Sequence, residues 1–107
     1  DKGIHPTMVH AGVYSAVTHY LKAVEALKSD DGTKVIAKMK DTPTDDPLFG
    51  KGTIRVDGRK IHPTYLFEVK SPDQSKGPWD YYKLVTKVPG EQAFTTLAES
   101  KCALLKK

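Results

Sequence analysis

Gly50-Lys51-Gly52-Thr53-Ile54-Arg55-Val56-Asp57-Gly58-Arg59-Lys60-Ile61-His62-Pro63-Thr64-Tyr65-Leu66-Phe67-Glu68-Val69-Lys70 is the stretch that decides the fold. Two runs with strand character flank Asp57-Gly58. That dipeptide predicts a type I′ hairpin, because such a turn needs positive φ at both central residues. Over 64–70, Tyr65, Phe67 and Val69 alternate against Leu66 and Glu68, the period of a strand. Leu66 makes the second face partly apolar, so this strand is expected to be covered on both sides. Gly50-Lys51-Gly52 is a lone G-x-G lying before a strand. A phosphate loop needs a strand before it and a helix after it, so these glycines are expected to frame a turn or bulge.

Upstream the pattern is helical. Over 8–27 the apolar positions are Val9, Val13, Ala16, Val17, Tyr20, Leu21, Val24 and Leu27. They recur at three and four residues, which predicts one apolar helix face. Ser29-Asp30-Asp31-Gly32 stops this helix. A shorter one follows, capped by Asp30, Asp31 or Thr33, carrying Val35, Ile36 and Met39, and ended by Asp41-Thr42-Pro43. The short connection predicts an antiparallel helix pair. Residues 44–49 read as a loop, with Phe49 packed under it.

Downstream, 71–78 reads as a polar loop and 79–88 as a further strand, Tyr81, Lys83, Val85 and Lys87 alternating against Tyr82, Leu84, Thr86 and Val88. Pro89-Gly90 breaks it. A short helical turn is expected over 92–97, and 99–107 reads as tail. The predicted order is therefore α-α-β-β-β-coil, an α+β fold: a helix pair over about 7–41, a hairpin and third strand over about 50–88, and a tail over 89–107. No βαβ alternation and no internal repeat is visible.

A chain of 107 residues is at most one domain. The net charge of +4 invites an anionic partner, but the lysines are scattered and form no long basic run. There is no apolar run long enough to span a membrane. The first residue is Asp1, not Met, and no signal peptide is present, so the chain is expected to be part of something longer.

Chemistry is sparse. His5, His10, His19 and His62 lack the H-E-x-x-H spacing, and Cys102 has no C-x-x-C companion, so neither a metal site nor any cofactor is expected. No G-x-S-x-G is present. Asp30, Asp31, Asp41, Asp45 and Asp46 sit at turns and helix ends, where capping explains them better than acid–base pairing. An enzyme is therefore not expected. Trp79, Tyr81 and Tyr82 beside Lys76, Lys83 and Lys87 suggest base stacking, but Tyr81 and Tyr82 are expected on opposite strand faces, which favours a structural sheet over a nucleic-acid platform.

Taken together, several segments carry a resemblance. Pro6-Thr7-Met8-Val9, Ala11-Gly12-Val13-Tyr14-Ser15-Ala16-Val17 and Tyr20-Leu21-Lys22-Ala23-Val24-Glu25-Ala26 resemble the last major helix of the solute-binding receptors of branched-chain amino acid ABC transporters. The segment 35–40 resembles the short helix that follows there. Ile54-Arg55-Val56-Asp57-Gly58-Arg59 resembles the receptors' G-x-I-R-x-D-G-R hairpin, and Gly77-Pro78-Trp79-Asp80-Tyr81-Tyr82-Lys83, Ala93-Phe94, Glu99-Ser100 and Cys102 resemble the terminal segment of one subgroup. In that subgroup the end reads S-G-C-P-L. Lys101 and Ala103 depart from it, and any bridge from Cys102 would go outside this chain.

The resemblance implies the C-terminal part of a two-lobed periplasmic receptor that closes on a small solute by a hinge motion. It implies a branched-chain amino acid or a related amide or aromatic carboxylate as solute, an ABC transporter permease as partner, and a periplasmic or extracytoplasmic location. The resemblance carries over His10 and Tyr14, at the start of the first helix, as the only candidate solute contacts. The alternative is a small basic module binding nucleic acid through the strand aromatics and lysines. A receptor piece is also expected to expose apolar faces and open strand edges, and so to form a homodimer or strand-exchanged assembly.

Overall fold

In the computed structural model, residues 3–103 and 105 are described. Helix α1, Met8–Leu27, opens on a cap made by its own sequence. The Thr7 N–H donates to His10 Nδ1 at 3.0 Å, and the Thr7 hydroxyl lies 2.9 Å from the same nitrogen. Lys28 ends the helix in the left-handed region, with its N–H and that of Ser29 turned back to the Glu25 and Val24 carbonyls. Helix α2, Gly32–Asp41, is capped by Asp31, whose carboxylate accepts from the Lys34 N–H at 3.0 Å. Of the three predicted cap candidates, Asp31 serves.

The predicted α+β class is observed: helices first, then antiparallel strands. Strand β1, Thr44–Asp46, pairs with β2, Gly50–Ile54, which pairs in turn with β3, Lys60–Ile61. Strands β4, Thr64–Val69, and β5, Tyr82–Val88, form a separate two-stranded sheet. A 3₁₀ turn, Pro72–Gln74, lies between them, and a one-turn helix α3, Gly90–Ala93, follows β5.

Several expectations need correcting. First, 44–49 is not all loop: Thr44–Asp46 is a strand, and Gly50 at φ +67° closes its hairpin to β2. Second, the Asp57-Gly58 turn is not type I′. Of the two residues only Gly58, at φ +82°, is left-handed, and the Asp57 carboxylate accepts from the Arg55 side chain and the Arg59 N–H instead. Third, the second leg of that hairpin is cut short. Pro63 offers no N–H, so the ladder to β2 ends at Ile61 and the chain leaves to build β4–β5. Fourth, a bulge between Leu66 and Phe67 pairs Leu66 with Thr86 but Phe67 with Leu84, leaving Val85 extra. Tyr82, Leu84 and Lys87 therefore share the face of Val69, Phe67 and Tyr65, against the predicted alternation, and the strand starts at Tyr82 rather than Trp79. Fifth, the terminal helical turn lies at Gly90–Ala93, not over 92–97.

The face of α1 that packs is not the apolar one. Its buried residues are Ser15, His19 and Ala23, four apart. Val9, Val13, Val17 and Leu21 have the same spacing two residues out of phase, so they lie on the opposite side and stand open. The fully covered apolar side chain is Val35 of α2. Nor is β4 covered on both sides, since 65–69 are exposed throughout.

Candidate functional site

Three elements meet at one buried carboxylate. Asp46, at the end of β1, accepts from the Ser15 hydroxyl of α1 at 2.7 Å and from Lys60 Nζ of β3 at 2.8 Å, both on Oδ2. Its Oδ1 accepts from the Leu48 and Phe49 N–H groups at 3.0 and 2.9 Å, which fixes the β1–β2 turn. Lys60 also donates to Ser15 Oγ and stands 4.5 Å above the Phe49 ring. Burial works against the charge on Asp46. The hydrogen bonds from Lys60, the Phe49 amide, Ser15 and the Leu48 amide outweigh it and hold the carboxyl well below the usual carboxylate range. Ser15 and Lys60 both donate to the carboxylate and the two charges cancel, so the cluster is built to pin elements rather than to move a proton.

Around this cluster lies a cleft of about 360 Å³, lined by Gly12, Ala16, Met39, Phe49, Ile54 and His62 among others. His62 packs between the Phe49 and Phe94 rings, with centroids 4.6 and 5.4 Å away. His19 does not stand at the surface. It is buried, with Nε2 2.9 Å from the Met39 carbonyl, and ties α1 to α2. Among the described residues no group of three or more His, Cys, Asp or Glu is placed to hold a metal ion.

The two sequence-derived contacts, His10 and Tyr14, lie one turn apart near the start of α1, and both are exposed. They are not among the residues lining the cleft. His10 spends Nδ1 on the helix cap. The same end of the molecule carries a stacked pair, His5 on Trp79, with ring centroids 3.9 Å apart. Sequence reasoning missed the Ser15–Asp46–Lys60 cluster. Ser15 and Asp46 are 31 residues apart, Ser15 and Lys60 45, and nothing in their local patterns links them.

The carbonyl of Thr95 accepts from Arg55, whose other nitrogens hold Asp57. That pair ties the second hairpin to the segment after α3. The Arg55 guanidinium, helped by the Arg59 amide, holds the Asp57 carboxyl down to about 2.

Known proteins share this fold. Residues 1–78 match the family described as periplasmic binding protein, and the chain belongs to that family. A crystal structure of a periplasmic binding protein from Burkholderia mallei is 54% identical over 96% of the chain, with a TM-score of 0.90. That of a branched-chain amino acid ABC transporter periplasmic ligand-binding protein from Burkholderia xenovorans LB400 is 46% identical over 95% of it, with a TM-score of 0.89. The chain spans 27% of the length of each of these two proteins. No curated protein matched it. Among the described residues, no helix is long and apolar enough to cross a membrane.

Proposed function

We propose that the chain serves as the C-terminal part of an extracytoplasmic solute-binding receptor. Such a receptor captures a small solute, a branched-chain amino acid or a related amide or aromatic carboxylate, and delivers it to an ABC-type permease. The observation that carries this is the match to the Burkholderia xenovorans ligand-binding protein, at 46% identity with a TM-score of 0.89. Identity of that order with an almost superimposable backbone supports a shared role for the segment. The chemistry on the page agrees: the buried Ser15, His19 and Asp46 are spent on holding elements together, which suits a part that binds and moves but does not react.

His10 and Tyr14 are the proposed solute contacts. Both are exposed at the capped end of α1, where a rigid helix start can present side chains to a cleft closed by another lobe. The test is a chimera in which residues 3–105 replace the matching segment of the Burkholderia mallei protein. Leucine, isoleucine, valine, an aliphatic amide and benzoate are titrated by calorimetry and thermal shift. At least one is expected to raise the melting midpoint, and Tyr14→Ala to weaken it about tenfold or more, the loss of one good contact. A folded chimera that responds to none of them, or Tyr14→Ala with unchanged affinity, overturns the corresponding part of the proposal.

A further inference from the structure

Helix α1 starts on an unusual partner. A capping box normally closes with Glu or Gln at the third helical position; here that position is His10. A backbone N–H can only donate, so in the 3.0 Å contact with the Thr7 N–H the His10 Nδ1 is the acceptor. The Thr7 hydroxyl, 2.9 Å away, shares the same nitrogen. With the cap closed the ring is therefore neutral and carries its proton on Nε2. A glutamate in this place would keep its charge above about pH 5. A histidine, as a residue type, takes up a proton between about pH 5 and 8.

Protonation acts twice at this position. It consumes the Nδ1 lone pair, so the Thr7 N–H loses its acceptor. It also sets a positive charge in the first turn, at the end of a helix that favours negative charge. Among the described residues nothing offsets that charge. The first turn of α1 holds no acidic side chain, and the ion pairs are Arg55–Asp57, Lys60–Asp46 and Lys70–Asp80, none of which reaches His10. The other titratable groups at this end are Tyr14, one turn further along α1, and His5 of the lead-in, whose ring is stacked on Trp79. The Thr7–His10 contact closes within four residues, so α1 and its own lead-in supply all of it.

We propose that His10 is a pH-sensitive latch on the start of α1. In neutral solution the latch is closed, the ring is held by Thr7, and Nε2–H is its remaining donor. In mild acid the latch opens, the ring is released and the first turn frays. The bearing on binding rests on the reading of His10 as a solute contact. The closed latch then presents a fixed donor, which selects an acceptor on the solute such as a carboxylate or carbonyl oxygen, and the open latch gives up that presentation.

Hydrogen exchange on the chimera described above, without solute, tests the latch at about pH 8 and about pH 5, the two ends of the histidine range. Peptides spanning 5–14 are followed by mass spectrometry and corrected for the intrinsic pH dependence of exchange, with peptides from α2 as the control for global unfolding. Protection over 7–11 is expected to fall roughly fivefold between the two conditions, the effect of losing one cap. His10→Glu gives the usual Thr-x-x-Glu pattern and is expected to hold its protection at both. His10→Ala is expected to be weakly protected at both. Wild-type protection that does not change with pH overturns the proposal, as does a His10→Glu chimera that loses as much as the wild type. The experiment contains no solute, so its failure and the failure of the solute reading are separate results.

Discussion

The two sheets of this molecule are built from neighbouring sequence and differ in how they are held. The β1–β2–β3 sheet is short, mostly polar and tightly held: Asp46 joins it to α1, and Gly52 and Gly90 let backbones approach within contact distance. The β4–β5 ribbon is longer and rich in aromatic side chains, yet almost all of it is exposed. Hydrophobic composition therefore does not say which part is secured here. The secured part has partners inside the chain. The apolar part stands open among the described residues, in a chain that spans 27% of the length of the two solved relatives.

The strongest way to break the contrast is to remove its anchor. Asp46→Ala takes one carboxylate from four donors and leaves the Lys60 charge partly buried and unpaired. Losing one partner of such a pair costs about 3–5 kcal/mol, which is much of the stability of a small domain. Chemical denaturation followed by circular dichroism should show that loss, with the helical signal falling together with the β1–β3 sheet. The same group sets an acid limit. The folded-state pKa of Asp46 lies below the unfolded value of about 3.9. Its contribution is therefore complete above that value and disappears as pH falls toward the folded pKa. Thermal midpoints measured from neutral pH down should drop below about pH 4 in the wild-type chain, and Asp46→Asn should flatten that drop.

How much of this was legible beforehand divides along the same line. Hydrophobic period and turn chemistry are local, so the two helices, the antiparallel strands and the Asp31 cap could be read from the chain. Three things could not. The phase of α1 was misjudged because the apolar stripe was assumed to face inward, whereas Ser15 and His19 do. The bulge at Val85 leaves no mark on a strand that reads as cleanly alternating. The Asp46 cluster joins residues dozens of positions apart, and its carboxylate looked like turn furniture. It does serve the turn, through Leu48 and Phe49, and bears the ion pair as well. His10 was chosen through a family likeness, and the structure adds a capping role that the likeness did not suggest.

A second, smaller break lies in backbone spacing. A Cβ at position 52 would come 2.5 Å from the Ile61 carbonyl oxygen and 3.0 Å from Thr44 Oγ1. Neither β3 nor β1 can retreat without losing its pairing, so Gly52→Ala is expected to cost about 1–3 kcal/mol, the range of an overpacked interior. Gly58→Ala acts by the other route, through positive φ with open space around it, and should cost about 1 kcal/mol. Urea midpoints of the two variants rank the effects. A Gly52→Ala no worse than Gly58→Ala would mean that the pinned sheet yields more easily than its contacts imply.

Next comes the helix cap. Thr7→Ala removes the hydroxyl beside His10 but leaves the backbone hydrogen bond to Nδ1, so about 0.5–1 kcal/mol is expected. The smallest effect belongs to the ribbon itself. Leu66 is 56% exposed and sits on the face opposite Phe67, in a strand whose inner contacts are all with β5. Leu66→Thr keeps strand propensity and removes little buried area, so stability should change by no more than about 0.5 kcal/mol. Urea denaturation followed by circular dichroism compares the variant with the parent chain. A larger loss would mean that the ribbon, open as it is, carries more of the stability than its exposure implies.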